Sequence, residues 1–337
     1  MYAALRSLLF ALPTETSHRV ALLAIAALGR LPRAIPRAES VSVFGLEFPN
    51  RVGLAAGLDK DAVAVAGFAR LGFGFVEIGT VTPKPQPGNP KPRLFRLVGQ
   101  RAIINRMGFN SAGAKVVRRR LEVLRQRPLG VPVGVNIGKN KDTPNARAVD
   151  DYVAGVRTFF DVADYLTVNL SSPNTPGLVD LQASADAMPL LSALKNEQRV
   201  LMQSSGRKVP LLVKIAPDLG EQGIREIAAV VAEVGIDGVI ATNTTVTRPA
   251  DLDPRTAAEA GGLSGAPLTK MALETVRTLH DVLGGIPIIG VGGIMAITDA
   301  RAMIEAGAAL VQIYTGFIYR GPALVRALVR ELKRTLG

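Results

Sequence analysis

The sequence predicts a (β/α)8 barrel, the TIM-barrel fold, preceded by a short N-terminal helical extension, and three observations carry that prediction. Eight short apolar runs alternate with amphipathic segments from Val52 onward. Nearly every run ends in a corner of amides, hydroxyls, lysine or glycine. The stretch before Val41 follows neither pattern. An open doubly wound sheet is the alternative, because short apolar runs are easily miscounted.

The runs are Val52–Ala56, Phe75–Gly79, Val131–Asn136, Tyr165–Asn169, Leu211–Ile215, Gly238–Thr242, Ile288–Val291 and Leu310–Ile313. They are continuously apolar rather than alternating, which marks a parallel sheet buried on both faces. Between them, segments such as Gly223–Val234 (GIREIAAVVAEV) and Thr298–Ala306 space their apolar residues at helical period. VSVFGLEFPN, before the first run, reads as a small hairpin turning at Phe44–Gly45. A chain of 337 residues is long for one domain but ordinary for a barrel.

Residues 1–37 are expected to form the extension and residues 38–337 the barrel. Ala3–Leu12 and Val20–Leu28 are two apolar stretches around the turn-like Pro13–Thr16. Neither approaches the roughly 20 apolar residues that cross a bilayer. Pro13 stops the first helix, and Thr14 or Thr16 is expected to cap the second. Arg6 interrupts the first run and no clean small-x-small cleavage site follows, which counts against a signal peptide. Composition leaves two readings open: a helical hairpin packed on the domain, or a monotopic anchor with arginines at the headgroups.

Charge and residue usage narrow the chemistry. Zero cysteines exclude disulfides, thiolate metal sites and cysteine nucleophiles, and only His18 and His280 are present, so no metal site is expected. A formal charge of +12 points to anionic partners: a phosphate-bearing ligand, an acidic membrane surface or nucleic acid. With aromatics at 5% and no recognisable nucleic-acid motif, that last partner is not expected.

The corners follow the strands in order as AGLDK (Ala56–Lys60), GTVTP (Gly79–Pro83), NIGKN (Asn136–Asn140), NLSSPNT (Asn169–Thr175), KIAPD (Lys214–Asp218), TNTTV (Thr242–Val246), GVGG (Gly290–Gly293) and YTG (Tyr314–Gly316). In a (β/α)8 barrel these loops meet at one mouth, so together they describe a polar ligand pocket. GVGG and YTG, with GGLSG at Gly261–Gly265, suit a phosphate held by backbone N–H groups. Lys214 lies within LLVKIAP, among apolar neighbours. A cation there requires an anionic partner or a lowered pKa, and a Schiff-base role, as in a barrel lyase or aldolase, competes with charge stabilisation.

Taken in register, AAGLDK, NRMGFN, NLSSPNTPGL, TNTTVTRP, GGLSGAPL, IIGVGGI and IYTG resemble the dihydroorotate dehydrogenases, FMN-dependent barrels of pyrimidine (UMP) synthesis. The resemblance runs from about Val41 to the end, and the extension resembles that of the membrane-associated, quinone-using class. It implies oxidation of dihydroorotate to orotate, FMN as hydride acceptor and a membrane quinone as final electron acceptor. It also implies a peripheral location on the cytoplasmic side of the cell membrane.

Residue by residue, the resemblance implies FMN contacts from Ala56, Gly57, Leu58, Asp59, Lys60, Thr80, Asn136, Asn169, Lys214 and Thr242. Gly265, Gly293, Tyr314 and Thr315 would hold its phosphate. The substrate would be gripped by Lys60, Asn105, Arg106, Met107, Gly108, Phe109, Asn169, Asn174, Asn243 and Thr244. Amide edges and a carboxylate do suit a ring of asparagines with one ammonium. Ser172 would be the base that removes a C5 proton while hydride leaves C6 for the flavin, helped by desolvation, by Lys60 and by a relay through Thr175 or water. Lys214 would stabilise negative charge on the reduced flavin. His18, Arg96 and Tyr314 would form the polar end of a quinone tunnel.

Overall fold

The computed structural model describes residues 2–31, 40–175 and 177–334. The expected boundary between residues 37 and 38 lies outside them. In chain order the elements are α1 (Tyr2–Ala11), α2 (Thr14–Leu28), β1 (Val41–Val43), β2 (Leu46–Phe48), β3 (Val52–Leu54), α3 (Val65–Leu71), β4 (Phe75–Val81), β5 (Leu94–Leu97), β6 (Ala102–Asn105) and α4 (Ala114–Arg125). Then come β7 (Val133–Ile137), α5 (Ala148–Phe159), β8 (Tyr165–Asn169), α6 (Ser184–Ser205), β9 (Leu211–Ile215), α7 (Gly220–Val234), β10 (Gly238–Ala241) and α8 (Pro254–Ala257). The chain ends with β11 (Gly262–Gly265), α9 (Thr269–Val282), β12 (Ile288–Val291), α10 (Ile297–Glu305), β13 (Ala308–Ile313), α11 (Thr315–Arg320) and α12 (Pro322–Arg334).

Eight parallel strands close in the order β10-β12-β13-β3-β4-β7-β8-β9, so the closed barrel is correct and the open sheet is not. All eight predicted runs are barrel strands, with ends displaced by up to two residues. β7 begins at Val133 rather than Val131, because Pro132 has no N–H to give to a ladder. The β1–β2 hairpin turns at Phe44 and Gly45, both at positive φ, as its sequence implied. Its Val43 and Phe48 join Phe75, Tyr165, Leu212, Ile240 and Leu310 in one cluster and plug the lower end of the barrel, with Phe48 against Phe75 at 5.2 Å.

Two features differ from expectation. Neither Thr14 nor Thr16 caps α2: Pro13 occupies the cap position, with no side-chain cap, and Thr14 is already helical. The other is a three-stranded antiparallel sheet, β11-β6-β5, that no single stretch of sequence announces. β6 pairs with β11 across some 160 positions of chain, and a bridge between Thr245 and Leu263 ties this sheet to the corner after β10.

The extension is a helical pair docked on the barrel. Tyr2 donates its hydroxyl to the Ile318 carbonyl (2.6 Å), Arg6 donates to the Tyr319 carbonyl (3.0 Å), and Phe10 meets Tyr319 edge-on at 5.5 Å. α2 lies so close to α3 that Gly67 leaves no room for a Cβ beside the Ile25 carbonyl. The outer faces stay apolar: Leu5, Leu8 (71% exposed), Val20 and Leu23 (58%) face solvent. The pair is thus packed on the domain and also presents an apolar face. Among the described residues no helix is long and apolar enough to cross a membrane.

Candidate active site

The polar corners meet in one cavity at the C-terminal end of the barrel. Ala56, Gly57, Lys60, Thr80, Asn169, Ser172, Lys214, Thr242 and Asn243 line it from the strand ends. Asn105, Met107, Gly108 and Phe109 enter from β6 and the loop after it, and Asn174, Thr244, Gly265, Gly293, Tyr314 and Thr315 complete the wall. Five predicted residues do not line it. Leu58 faces the neighbouring cavity. The Asp59 carboxylate accepts the Val63 and Ala64 N–H groups, at 2.8 and 2.7 Å, and serves the turn into α3. Burial raises that carboxyl to about 6, against the opposing pull of those two bonds. Asn136 sits one layer below the cavity floor, and Arg106 pairs with Glu259 while stacking on Phe95.

Thr175 is the fifth. It is buried, and among the described residues no hydrogen bond joins its hydroxyl to Ser172. Instead Ser172 Oγ accepts the Asn174 N–H at 3.3 Å. The sequence also overlooked Ser171, whose hydroxyl donates to Asn169 Oδ1 (3.0 Å) and accepts from Asn243 Nδ2 (2.9 Å). Further links run from Asn169 Nδ2 to Thr80 Oγ1 (2.9 Å) and from Asn174 Nδ2 to Asn105 Oδ1 (3.1 Å). The amide ring is thereby held in place before any ligand arrives, which lowers the ordering cost of binding.

Two lysines carry the cavity's positive charge. Lys60 Nζ donates to Asn110 Oδ1 at 2.6 Å. Burial, and then the Arg93 guanidinium, pull this ammonium down to about 8, while Asp61 and Glu15 oppose the shift. Lys214 is buried, and its ammonium makes no hydrogen bond or ion pair among the described residues. Desolvation lowers its pKa and the Glu77 carboxylate raises it. Glu77 is itself fully buried beneath the floor, accepting from Asn136 (2.9 Å), Tyr165 (3.1 Å) and Gln312 (2.9 Å). Glu77, Asn136, Tyr165 and Gln312 lie on four different strands, so the sequence gave no hint that they form one cluster.

Whether these residues suit a flavin phosphate cofactor can be tested on the wall itself. Gln312 lines the cavity and its Oε1 is buried with no partner, an acceptor that a cofactor N–H would satisfy. Lys214 offers an unpaired cation to an electron-rich ring. Gly293 has φ +71°, and a Cβ there would lie 2.4 Å from Thr269 Cα, so only glycine lets this loop take its path. The Gly293 and Thr315 N–H groups donate to no backbone carbonyl among the described residues, which leaves them for an anion. The residues fit the group.

A second, apolar cavity of about 700 Å3 lies between the N-terminal helices and the barrel. His18, Arg96 and Tyr314, predicted as one group, all line it, and Leu94, Ile103 and Tyr314 line both cavities. Among the described residues Arg96 pairs with no carboxylate: it donates to the Phe10 and Leu12 carbonyls (2.7 and 2.6 Å), closing the end of α1, and lies over the Phe10 ring. Burial, followed by repulsion from Lys60, lowers the His18 pKa against the attraction of Glu15, so the imidazole is neutral at pH 7.

Cation, amides and hydroxyl at one barrel mouth, sharing a wall with an apolar chamber, define a class: a (β/α)8 barrel with a polar mouth suited to a small anionic ligand. The comparisons with known proteins narrow it. The family model described as dihydroorotate dehydrogenase matches residues 39–336, and the chain belongs to this family of oxidoreductases that oxidise dihydroorotate in pyrimidine synthesis. The dihydroorotate dehydrogenase (quinone) of Marinobacter nauticus is 52% identical and covered in full, as is this chain. That of Thiobacillus denitrificans is 53% identical, with 98% of this chain and 99% of the relative covered. Among solved structures, ligand-free DHODH from Eimeria tenella superposes with a TM-score of 0.87 at 45% identity, over 95% of this chain and 94% of that one.

Proposed function

We propose that this chain oxidises dihydroorotate to orotate with FMN as the hydride acceptor and a membrane quinone as the final electron acceptor. We further propose that α1 and α2 hold it peripherally on the cytoplasmic side of the cell membrane. One observation carries the reading: Lys60, Ser172 and Lys214 face a single cavity whose wall at Leu94, Ile103 and Tyr314 is also the wall of the apolar chamber under the helices.

Lys60 binds the substrate carboxylate, and the Asn105, Asn174 and Asn243 amides read the ring's amide edges. Ser172 Oγ takes the proton from substrate C5 as its own hydroxyl proton passes on through Thr175 or water. A hydroxyl is a weak base at neutral pH, so this step relies on a nearly buried position and on the nearby positive charge of Lys60. Thr80, Asn169, Lys214, Thr242 and Gln312 would hold the FMN ring, with Gly265, Gly293 and Thr315 at its phosphate. FMN, when bound, supplies a two-electron acceptor that can pass electrons on to a quinone. Lys214 places its charge where the reduced ring would carry negative charge. In the second chamber, His18 and Arg96 provide a neutral imidazole and a fixed guanidinium for a quinone carbonyl, among Phe10, Leu22, Ile25 and Phe317.

The test is the visible spectrum of purified protein, without oxygen, before and after adding dihydroorotate. Bleaching by dihydroorotate and not by nicotinamide donors supports the reading. A colourless protein, or one reduced only by a nicotinamide, removes it.

A further inference from the structure

One ion pair joins the extension to the substrate loops. Arg93, 9% exposed at its side chain, donates through Nε to Glu15 Oε1 at 2.9 Å and through Nη2 to Oε2 at 3.2 Å. Its third nitrogen, Nη1, donates to the Pro87 and Asn89 carbonyls, at 2.6 and 3.0 Å. The fork on α2 therefore also gathers the loop that precedes β5.

That loop in turn grips both substrate segments. Asn89 Nδ2 donates to the Asn174 carbonyl (3.3 Å) and to the Arg106 carbonyl (3.0 Å), while the Asn89 N–H donates to the Met107 carbonyl (3.0 Å). The Arg106 N–H returns to the Arg93 carbonyl at 2.9 Å. Asn174 is the residue whose N–H meets Ser172 Oγ and whose amide meets Asn105.

We propose that Glu15 and Arg93 are positioning residues: a strap through which the docked position of α2 sets the affinity of the mouth for dihydroorotate and orotate. A bidentate guanidinium–carboxylate pair fixes orientation as well as distance. Without its carboxylate, a nearly buried guanidinium is left uncompensated and moves toward water, releasing the Pro87 and Asn89 carbonyls. The loop after β6, at Arg106 and Met107, and the loop carrying Asn174 then have more conformations to lose on binding. The ligand pays that cost in affinity, and the chemistry in the bound complex is unchanged. Linkage is reciprocal, so bound orotate also holds α2 against the barrel. The proposal rests on the mouth being the dihydroorotate site.

The experiment uses full-length flavoprotein carrying Glu15→Ala, Asn89→Ala or Lys91→Ala. Lys91 is the exposed second partner of Glu15, at 3.3 Å, and serves as the control. Orotate affinity is read from the flavin absorbance change, KM and limiting rate from anaerobic flavin reduction, and α2 docking from tryptic cleavage within residues 2–31. E15A and N89A raise the orotate Kd and the dihydroorotate KM about fivefold, at the lower end of ordinary site-to-site coupling, with the limiting rate within about twofold of wild type. K91A matches wild type, and orotate slows cleavage of α2 in wild type but not in E15A. An orotate Kd unchanged in E15A overturns the strap. Should E15A fail to fold, N89A, with its ion pair intact, decides alone, and an unchanged Kd there overturns it equally. A wild-type protein that dihydroorotate does not reduce removes the underlying assignment of the site instead.

Discussion

Replacing Lys60 with methionine keeps the length of the side chain and removes its charge, so it isolates what the ammonium does for an anionic substrate. Lys60 faces the cavity and titrates near 8, with Asn110 the only acceptor bonded to it among the described residues. A group with that pKa is roughly 90% charged at pH 7 and roughly 10% charged at pH 9, so orotate affinity in the wild type falls about tenfold across that interval. Losing a partly buried ammonium opposite a carboxylate costs about 2–4 kcal/mol, or roughly 30- to 1000-fold in Kd at pH 7. K60M also flattens the pH profile. Stability moves the other way: the folded value lies below the ordinary 10.5, so the native state binds fewer protons between about 8 and 10.5, and this group alone raises stability with pH there. The assay is orotate titration of the flavin spectrum between pH 7 and 9. A wild-type Kd that is flat over this range, or K60M binding within twofold of wild type, refutes the reasoning.

Three further outcomes follow from the same geometry. Gly293→Ala forces a Cβ to 2.2 Å from Thr269 Oγ1 at a positive φ, and the protein is recovered without flavin, as its absorbance spectrum will show. Lys214→Gln keeps the cavity's polar wall but removes its unpaired cation. It lowers the flavin reduction potential in dye-equilibration measurements and slows reduction by dihydroorotate at least about tenfold. Deleting residues 1–37 preserves flavin reduction at saturating dihydroorotate but abolishes quinone turnover, while Leu8→Glu with Leu23→Glu ends vesicle co-sedimentation and leaves orotate binding intact.

The barrel and most of the mouth were legible in the sequence for a physical reason. A barrel strand must be apolar, its C-terminal corner is where polar residues are tolerated, and the two signals alternate along the chain. Asn169, Ser172, Lys214 and Thr242 were found because each stands at such a corner. Glu77, Tyr165 and Gln312 were not, since each lies inside a mostly apolar strand rather than in the corner that follows it, and only the closed barrel brings the three together. The three-stranded sheet was hidden because β11 joins β6 from across the chain. Glu15 and Arg93 likewise stand 78 positions apart. Thr175 stands close to Ser172 in sequence, but among the described residues the two hydroxyls do not bond directly: Ser172 Oγ accepts the Asn174 N–H.

The central claim is that Ser172, at the rim of this cavity, is the base that opens the reaction. The most direct measurement is rapid anaerobic mixing of Ser172→Ala with dihydroorotate, followed at the flavin band. The account predicts wild-type flavin content and wild-type orotate affinity, with flavin reduction slowed by about a thousandfold or more. Reduction at the wild-type rate would contradict it.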